Sequence, residues 1–416
     1  MLLAHPGTQY ASHLARELAA HAMLRRFWTG FALAAQGWGG RLLAYAPAAL
    51  RKRLGNRVVN LAGQQLRTRP LLEWRAGREA SRVGEETAFF ERNRRFQEVI
   101  PRHELDAVNT VIGFDTSSWI LARRTKQAGR RFILDQSIGH PAAKERVFAG
   151  LRERFPAWST SAPKKAPELV AAEREEHALA DVIVVPSRFV RRTLVDEGVD
   201  AAKIRIIPFG TDLTLFQPAE RSDETSGPVV FLYVGGITAR KGVPVLLQAW
   251  RQWGPTNAEL WLAGPGAIPA DELATLPASV KVLGSQGRSE VAALMRKADV
   301  FVFPSFFEGL AQVQIEAQAA GLPLIGTEES GASELVEDGR TGCLVPAGDV
   351  GALSAAMQRL AEDAALRAQM RQNAIASRER LSWKVYGDRW ASLVAEVGSS
   401  QNPGSSSPAT ESKPSC

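Results

Sequence analysis

The chain has 416 residues, of which 45% are hydrophobic and 23% charged, and a formal net charge of +7. That length exceeds one ordinary core and predicts a two-domain globular protein. Two cysteines, Cys343 and Cys416, are too few for a disulfide framework, and neither they nor the six histidines show a C-x-x-C or H-x-x-x-H metal spacing. The excess of cations leaves nucleic acid, an anionic membrane surface and phosphorylated small molecules as partner classes. Nucleic acid is set aside, because the cations are dispersed and no recognition module or aromatic-interleaved basic run occurs.

In chain order, a short apolar strand at Leu2 to His5 opens into the loop "HPGTQY" and a helix. No basic n-region precedes an apolar core, so the expected location is the reducing cytoplasm rather than a secreted state. Residues 31–50 are apolar but interrupted by Arg41 and Pro47, which argues against a spanning helix. With Arg51, Lys52, Arg53 and Arg57 following, residues 41–58 read either as an interfacial basic helix on an anionic membrane or as a surface helix with a solvated basic face.

The runs "AVNTVIGF", "RFILDQS", "DVIVVPS" and "IRIIPFG" then alternate with helical periodicity, which predicts a parallel sheet covered on both faces. Asp115, after "VIGF", reads as an acceptor-orienting carboxylate or as a cap of the next helix, and the cap is preferred. The polar segment 218–228, with proline at each end, reads as a linker. Beyond it the alternation restarts with "VVFLYVGG", "AELWLAG", "VKVLG", "DVFVFPS" and "LPLIGT" as strands. The predicted organisation is a Rossmann-like domain over 1–217, the linker 218–228, a second Rossmann-like domain over 229–382, a terminal helix over 383–398 and a disordered tail over 399–416.

Ligands of doubly wound sheets bind beyond the carboxyl ends of the strands. Two segments stand there in the second half. In "YVGGITARKGVPVLL", Gly235 and Gly236 end a strand and Arg240 and Lys241 precede a helix. That arrangement suits a diphosphate, and equally a tight turn with two surface cations. In "PSFFEGLAQVQIEAQAAGLPLIGT", Glu308 and Glu316 stand eight residues apart. If the interval were helical, their Cα atoms would lie roughly 12 Å apart, too far for an acid/base pair but suited to two hydroxyls of one extended ligand. Leu310, Val313, Ala317 and Gly321 recur at helical spacing and predict one buried stripe.

The frame P-S-x-x-E-G…E-A-x-A-x-G-x-P, from Pro304 to Pro323, resembles the donor-binding segment of the retaining glycosyltransferases of family 4, which have the GT-B fold. "ADVIVVPSRFVRRTLVDEGV", "KIRIIPFGTDLTLFQP", "GGITARKG" and "LSWKVYGDRW" resemble further segments of that family, over roughly residues 1–398. The resemblance implies two Rossmann-like domains facing each other across a cleft, with the terminal helix crossing back to the first. It implies transfer of a sugar from a nucleoside diphosphate sugar to a saccharide or lipid-linked acceptor with retention, without cofactor or metal. The lack of any D-x-D fits the last point.

Residue by residue, it implies that Glu316 accepts hydrogen bonds from the ribose and that Glu308 contacts the transferred sugar. The amides of Gly309 and Leu310 would lie beside that sugar and its phosphate. Lys241 would neutralise the diphosphate, with Arg240 substituting for the arginine usual at the slot held by Gly236. Gly235 lets the loop approach, as does Gly7 in the first domain, for phosphate or acceptor. His140 would reach the donor or acceptor, or be a structural histidine, and Arg188 is a candidate anion ligand. The alternatives are an epimerase or phosphorylase on the same architecture, and an inactive nucleotide-sugar-binding partner protein.

Overall fold

A computed structural model describes residues 1–7, 10–35, 37, 45, 47, 54, 57–158, 166–220 and 227–399. Most of the basic stretch 41–58, six residues of the linker (221–226) and the tail from 400 lie outside the described residues.

The first domain carries a seven-stranded sheet, parallel throughout. Its spatial order is Leu66–Thr68, Arg26–Thr29, Leu2–His5, Thr110–Phe114, Arg131–Asp135, Val182–Val185, Ile204–Ile206. The central strands "LLAH", "TVIGF" and "VIVV" are buried at every position. Helices cover both faces, so these strands read as continuous apolar runs without a polar side.

The second domain has six parallel strands in the order Val280–Gly284, Ala258–Ala263, Val229–Val234, Val300–Phe303, Leu324–Gly326, Gly342–Leu344. Counted along the chain this is 3-2-1-4-5-6, the dinucleotide-binding order, and the first domain begins the same way. Each sheet therefore has a switch point where the winding reverses. In the second it lies between Val229–Val234 and Val300–Phe303; in the first, between Leu2–His5 and Thr110–Phe114. The Val243–Trp253 helix seals the second core: Trp250 packs edge-on against Phe231 at 5.6 Å, and its indole N–H donates to Ser279 Oγ at 3.0 Å.

The terminal helix Trp383–Ser399 packs on the first domain's Ala11–Ala20 helix. Trp383 stacks on His13 at 4.1 Å, and Asp388 meets His21 at 3.0 Å. Lateral contacts also join the domains. Ser187 Oγ donates to the Gly309 carbonyl at 2.6 Å, and Arg192 pairs with Glu328 at 2.8 Å. Phe307, fully buried, belongs to the first domain's core, edge-on to Phe189 at 5.2 Å.

Three expectations are corrected. The helix after "PS" begins only at Gln312, so Glu308 lies in a loop and a helical separation of the two glutamates does not apply. That helix has no single stripe: Gln314, Ile315, Glu316, Ala317, Gln318 and Ala319 are all buried. From Gln314 onward the helix is enclosed, and its two buried glutamines are satisfied within the domain, Gln314 by the Ser330 carbonyl at 2.7 Å and Gln318 by the Leu322 carbonyl at 2.8 Å. Asp115 does not cap the following helix, whose N-cap is Ser118. Its carboxylate instead accepts from the Ser137 amide and hydroxyl, both at 3.2 Å.

Candidate active site

At the second switch point two loops are stitched together. The Arg240 carbonyl accepts from the Phe306 amide at 2.9 Å and the Ser305 hydroxyl at 3.0 Å, and the Arg240 guanidinium donates to the Phe307 carbonyl at 2.8 Å. This brings Arg240, Lys241 and Glu308 into one cluster. Glu308 Oε1 pairs with Arg240, with Lys241 Nζ at 2.6 Å and with Ser305 Oγ at 3.2 Å. Two cations on one carboxylate leave one net positive charge in a nearly enclosed place. Burial lowers the Lys241 ammonium from its ordinary value; Glu308 opposes that shift and Arg240 adds to it.

Glycines let the loops meet. Gly235 passes over Tyr233, whose hydroxyl donates to the Gly236 carbonyl at 2.7 Å. Gly242, the N-cap of Val243–Trp253, has a left-handed φ of 77°, and a Cβ there would stand 2.0 Å from the Pro304 carbonyl. Sequence reasoning passed over it, although a glycine directly before a helix is its signal. Gly309 lies against the first domain, where a Cβ would meet the Ser137 carbonyl oxygen at 1.8 Å. Among the described residues no acceptor takes the Gly309 or Leu310 amide. Two backbone donors thus remain beside the Glu308 cluster.

Glu316 is buried and pairs with Arg288 at 3.1 Å. Desolvation raises its pKa from 4.5 to about 7 despite that partner. Arg288 was not foreseen. It opens the Arg288–Lys297 helix, where a cation opposes the helix dipole, and that misfit was the available signal. A raised carboxyl favours the protonated folded state, so this group's stabilising contribution is present below pH 4.5 and lost as pH rises through about 7.

The other candidates have partners and surroundings of their own. His140 is 4% exposed, and its Nδ1 accepts from the Ala142 amide at 3.2 Å as cap of Pro141–Arg154. Arg188 is largely exposed and faces Glu334 of the second domain at 3.7 Å, while its amide donates to the same carboxylate at 2.9 Å. Gly7 lines a separate cavity at the first switch point.

Residues 228–363 match the family model of the glycosyl transferases, group 1. That match covers most of the second domain and none of the first. Among curated proteins, the chain is similar to the putative colanic acid biosynthesis glycosyltransferase WcaL of Salmonella typhimurium, 29% identical over 61% of this chain and 67% of that one. It is similar to the amylovoran biosynthesis glycosyltransferase AmsK of Erwinia amylovora, 31% identical over 44% of this chain and 48% of that one. A third relative is the D-inositol 3-phosphate glycosyltransferase of Mycobacterium tuberculosis, 32% identical over 44% and 41%. The alignments thus span about two thirds of the first relative and under half of the other two. Among solved structures, HepE of Anabaena in complex with UDP superposes with a TM-score of 0.64 at 18% identity, covering 95% of this chain and 99% of that one. Sucrose-phosphate synthase of Thermosynechococcus elongatus gives 0.63 at 20%, covering 95% and 98%. These likenesses extend over both domains, and the fold is GT-B.

Proposed function

We propose that the chain is a retaining glycosyltransferase that moves a sugar from a nucleoside diphosphate sugar to a saccharide or lipid-linked acceptor. The observation that carries this reading is the Arg240–Glu308–Lys241 cluster over the second switch point. Its net positive charge and the free amides of Gly309 and Leu310 suit a diphosphate and the sugar attached to it. Glu316 lies on the same loop-and-helix unit, where its carboxylate would accept the ribose hydroxyls. The UDP bound in the HepE structure supports a uridine donor. The relatives named for colanic acid and amylovoran biosynthesis support a polysaccharide as the product class. No helix among the described residues is long and apolar enough to cross a membrane.

In the proposed reaction the acceptor hydroxyl oxygen bonds to the anomeric carbon on the face that the diphosphate leaves. The bond from that carbon to the phosphate oxygen breaks, and its electron pair goes to the departing oxygen. The acceptor's proton passes to the same oxygen. Lys241 and Arg240 stabilise the charge that accumulates there, while Glu308 holds both cations in place and contacts the sugar. Because fixed cations take this role, activity is expected to persist in EDTA; strict dependence on an added divalent metal would count against it.

A panel of nucleotide sugars scored by thermal stabilisation tests the donor, since a ligand of the native state alone raises apparent stability. One class of nucleotide sugar is expected to stand out, and product is expected only when an acceptor is added. Conversion of the donor without acceptor would favour the epimerase reading. The Glu316 carboxyl adds a pH signature. Its ionised form is the stronger acceptor for two hydroxyls, so donor affinity is expected to tighten from about pH 6 to about pH 8. Glu316→Gln should weaken binding and flatten the slope, and a slope that survives in Glu316→Gln refutes the ribose role.

A further inference from the structure

The first sheet has its own ligand-sized space. A cavity of about 350 Å³ opens at its switch point, its wall including His5, Gly7, Arg92, Asp115 and Ser137. Three features distinguish it from a surface dimple.

The first is backbone strain. Thr116, on the cavity wall, has a φ of 63°, a region that β-branched residues rarely adopt. It is held there from two sides. Asn93 Nδ2 donates to its carbonyl at 2.9 Å, and the fully buried Glu176 accepts the Thr116 and Ser118 amides at 2.9 and 2.6 Å. A loop kept strained by two buried groups has a shape that matters.

The second is a cation with no acid of its own. Arg92 donates through Nε and Nη2 to Asn93 Oδ1, at 3.1 and 2.8 Å, and lies over the Phe89 ring at 5.0 Å. Neighbouring Arg94 and Arg95 on the same helix both pair with Glu91. Arg92 forms no ion pair among the described residues; Glu73, which acts on it from farther off, is engaged by Arg57 at 3.1 Å. Among the described residues the only acid on the cavity wall is Asp115, whose carboxylate accepts from Ser137. The guanidinium is therefore oriented in advance, with donors to spare for an oxyanion.

The third is position. Ser137 lines this cavity, and its carbonyl oxygen is the atom against which Gly309 packs. A molecule in the cavity would lie next to the loop carrying Glu308.

We propose that this cavity seats the acceptor and that Arg92 binds an anionic group on it, a phosphate or a carboxylate. The acceptor is then a sugar phosphate or an acidic saccharide, not a neutral sugar. Only the word acceptor rests on the sugar-transfer reading; binding of the anion does not require turnover.

The test is therefore a binding measurement. Glucose 6-phosphate, glucuronate and neutral glucose are titrated into the full chain by calorimetry at up to tens of millimolar, with inorganic pyrophosphate as the probe for the Lys241 cluster. At least one anionic sugar is expected to bind, and which one separates phosphate from carboxylate. Arg92→Gln should weaken that binding about 10- to 100-fold, Arg92→Lys should restore part of it, and pyrophosphate affinity should stay unchanged. Lys241→Ala should do the reverse. The proposal is overturned if neither anionic sugar binds, if glucose binds equally well, or if Lys241→Ala rather than Arg92→Gln removes the anionic sugar. An unchanged melting temperature for Arg92→Lys guards against a loss that is only unfolding. If Arg92 behaves as expected and no transfer is ever detected, the anion site stands and the transferase reading fails.

Discussion

Lys241→Ala is expected to lower kcat by about 10²- to 10³-fold with the fold intact. The fold should survive because Glu308 keeps its second partner, Arg240, and is not left as a lone buried charge. The rate should fall because negative charge on the departing diphosphate is greatest in the transition state. A cation fixed in an enclosed, low-dielectric place lowers that barrier more than it tightens ground-state binding. KM for the donor should therefore change less than kcat. Lys241→Arg should recover only part of the rate, since a planar guanidinium does not reproduce a compact ammonium between Glu308 and the Phe303 ring, 5.0 Å from Nζ. Steady-state kinetics with a matched donor checks this, and a near-normal kcat in Lys241→Ala would remove the lysine from the mechanism.

Gly309→Ala is expected to cut transfer by roughly 10²-fold or more, with a smaller loss of donor binding. The added methyl would stand 1.8 Å from the Ser137 carbonyl oxygen and 3.3 Å from Pro186 Cγ, both in the first domain. Backbone against backbone cannot be relieved by a rotamer, so the domains must part. The Ser187–Gly309 hydrogen bond at 2.6 Å would be lost with that movement. The other proposed donor contacts, Lys241, Arg240 and Glu316, are side chains of the second domain and should persist, so nucleotide-sugar stabilisation should fall much less than kcat. Water entering the parted cleft should also raise donor hydrolysis relative to transfer. Small-angle scattering should report a larger radius of gyration. A compact variant with full activity would show that this domain contact is not needed for the reaction.

Much of this was present in the sequence by itself. The strands were legible because a parallel sheet buried on both faces demands unbroken apolar runs, and "TVIGF", "RFILD", "VIVV" and "VFVF" are such runs. Even the short opening strand Leu2–His5 could be bounded, since proline and glycine follow it at once. Arg240, Lys241 and Glu308 could be singled out because strand ends and helix starts are local signals, and Glu316 by its spacing within the frame from Pro304 to Pro323.

What those side chains do to one another was decided only by the tertiary structure. Glu308 meets Arg240 from 68 positions away, and Glu316 meets Arg288 from 28. No periodicity encodes such pairs; they arise because parallel strands place distant loops side by side. The same holds for the Asp115 contacts with Ser137, where a local cap was expected and a neighbouring strand's loop took the carboxylate instead. The tight approach of Gly309 to Ser137, and a cation at Arg92 left without an acid, are also products of folding. Chain composition specifies which charges exist, but burial and proximity decide which are cancelled and which remain to bind a ligand.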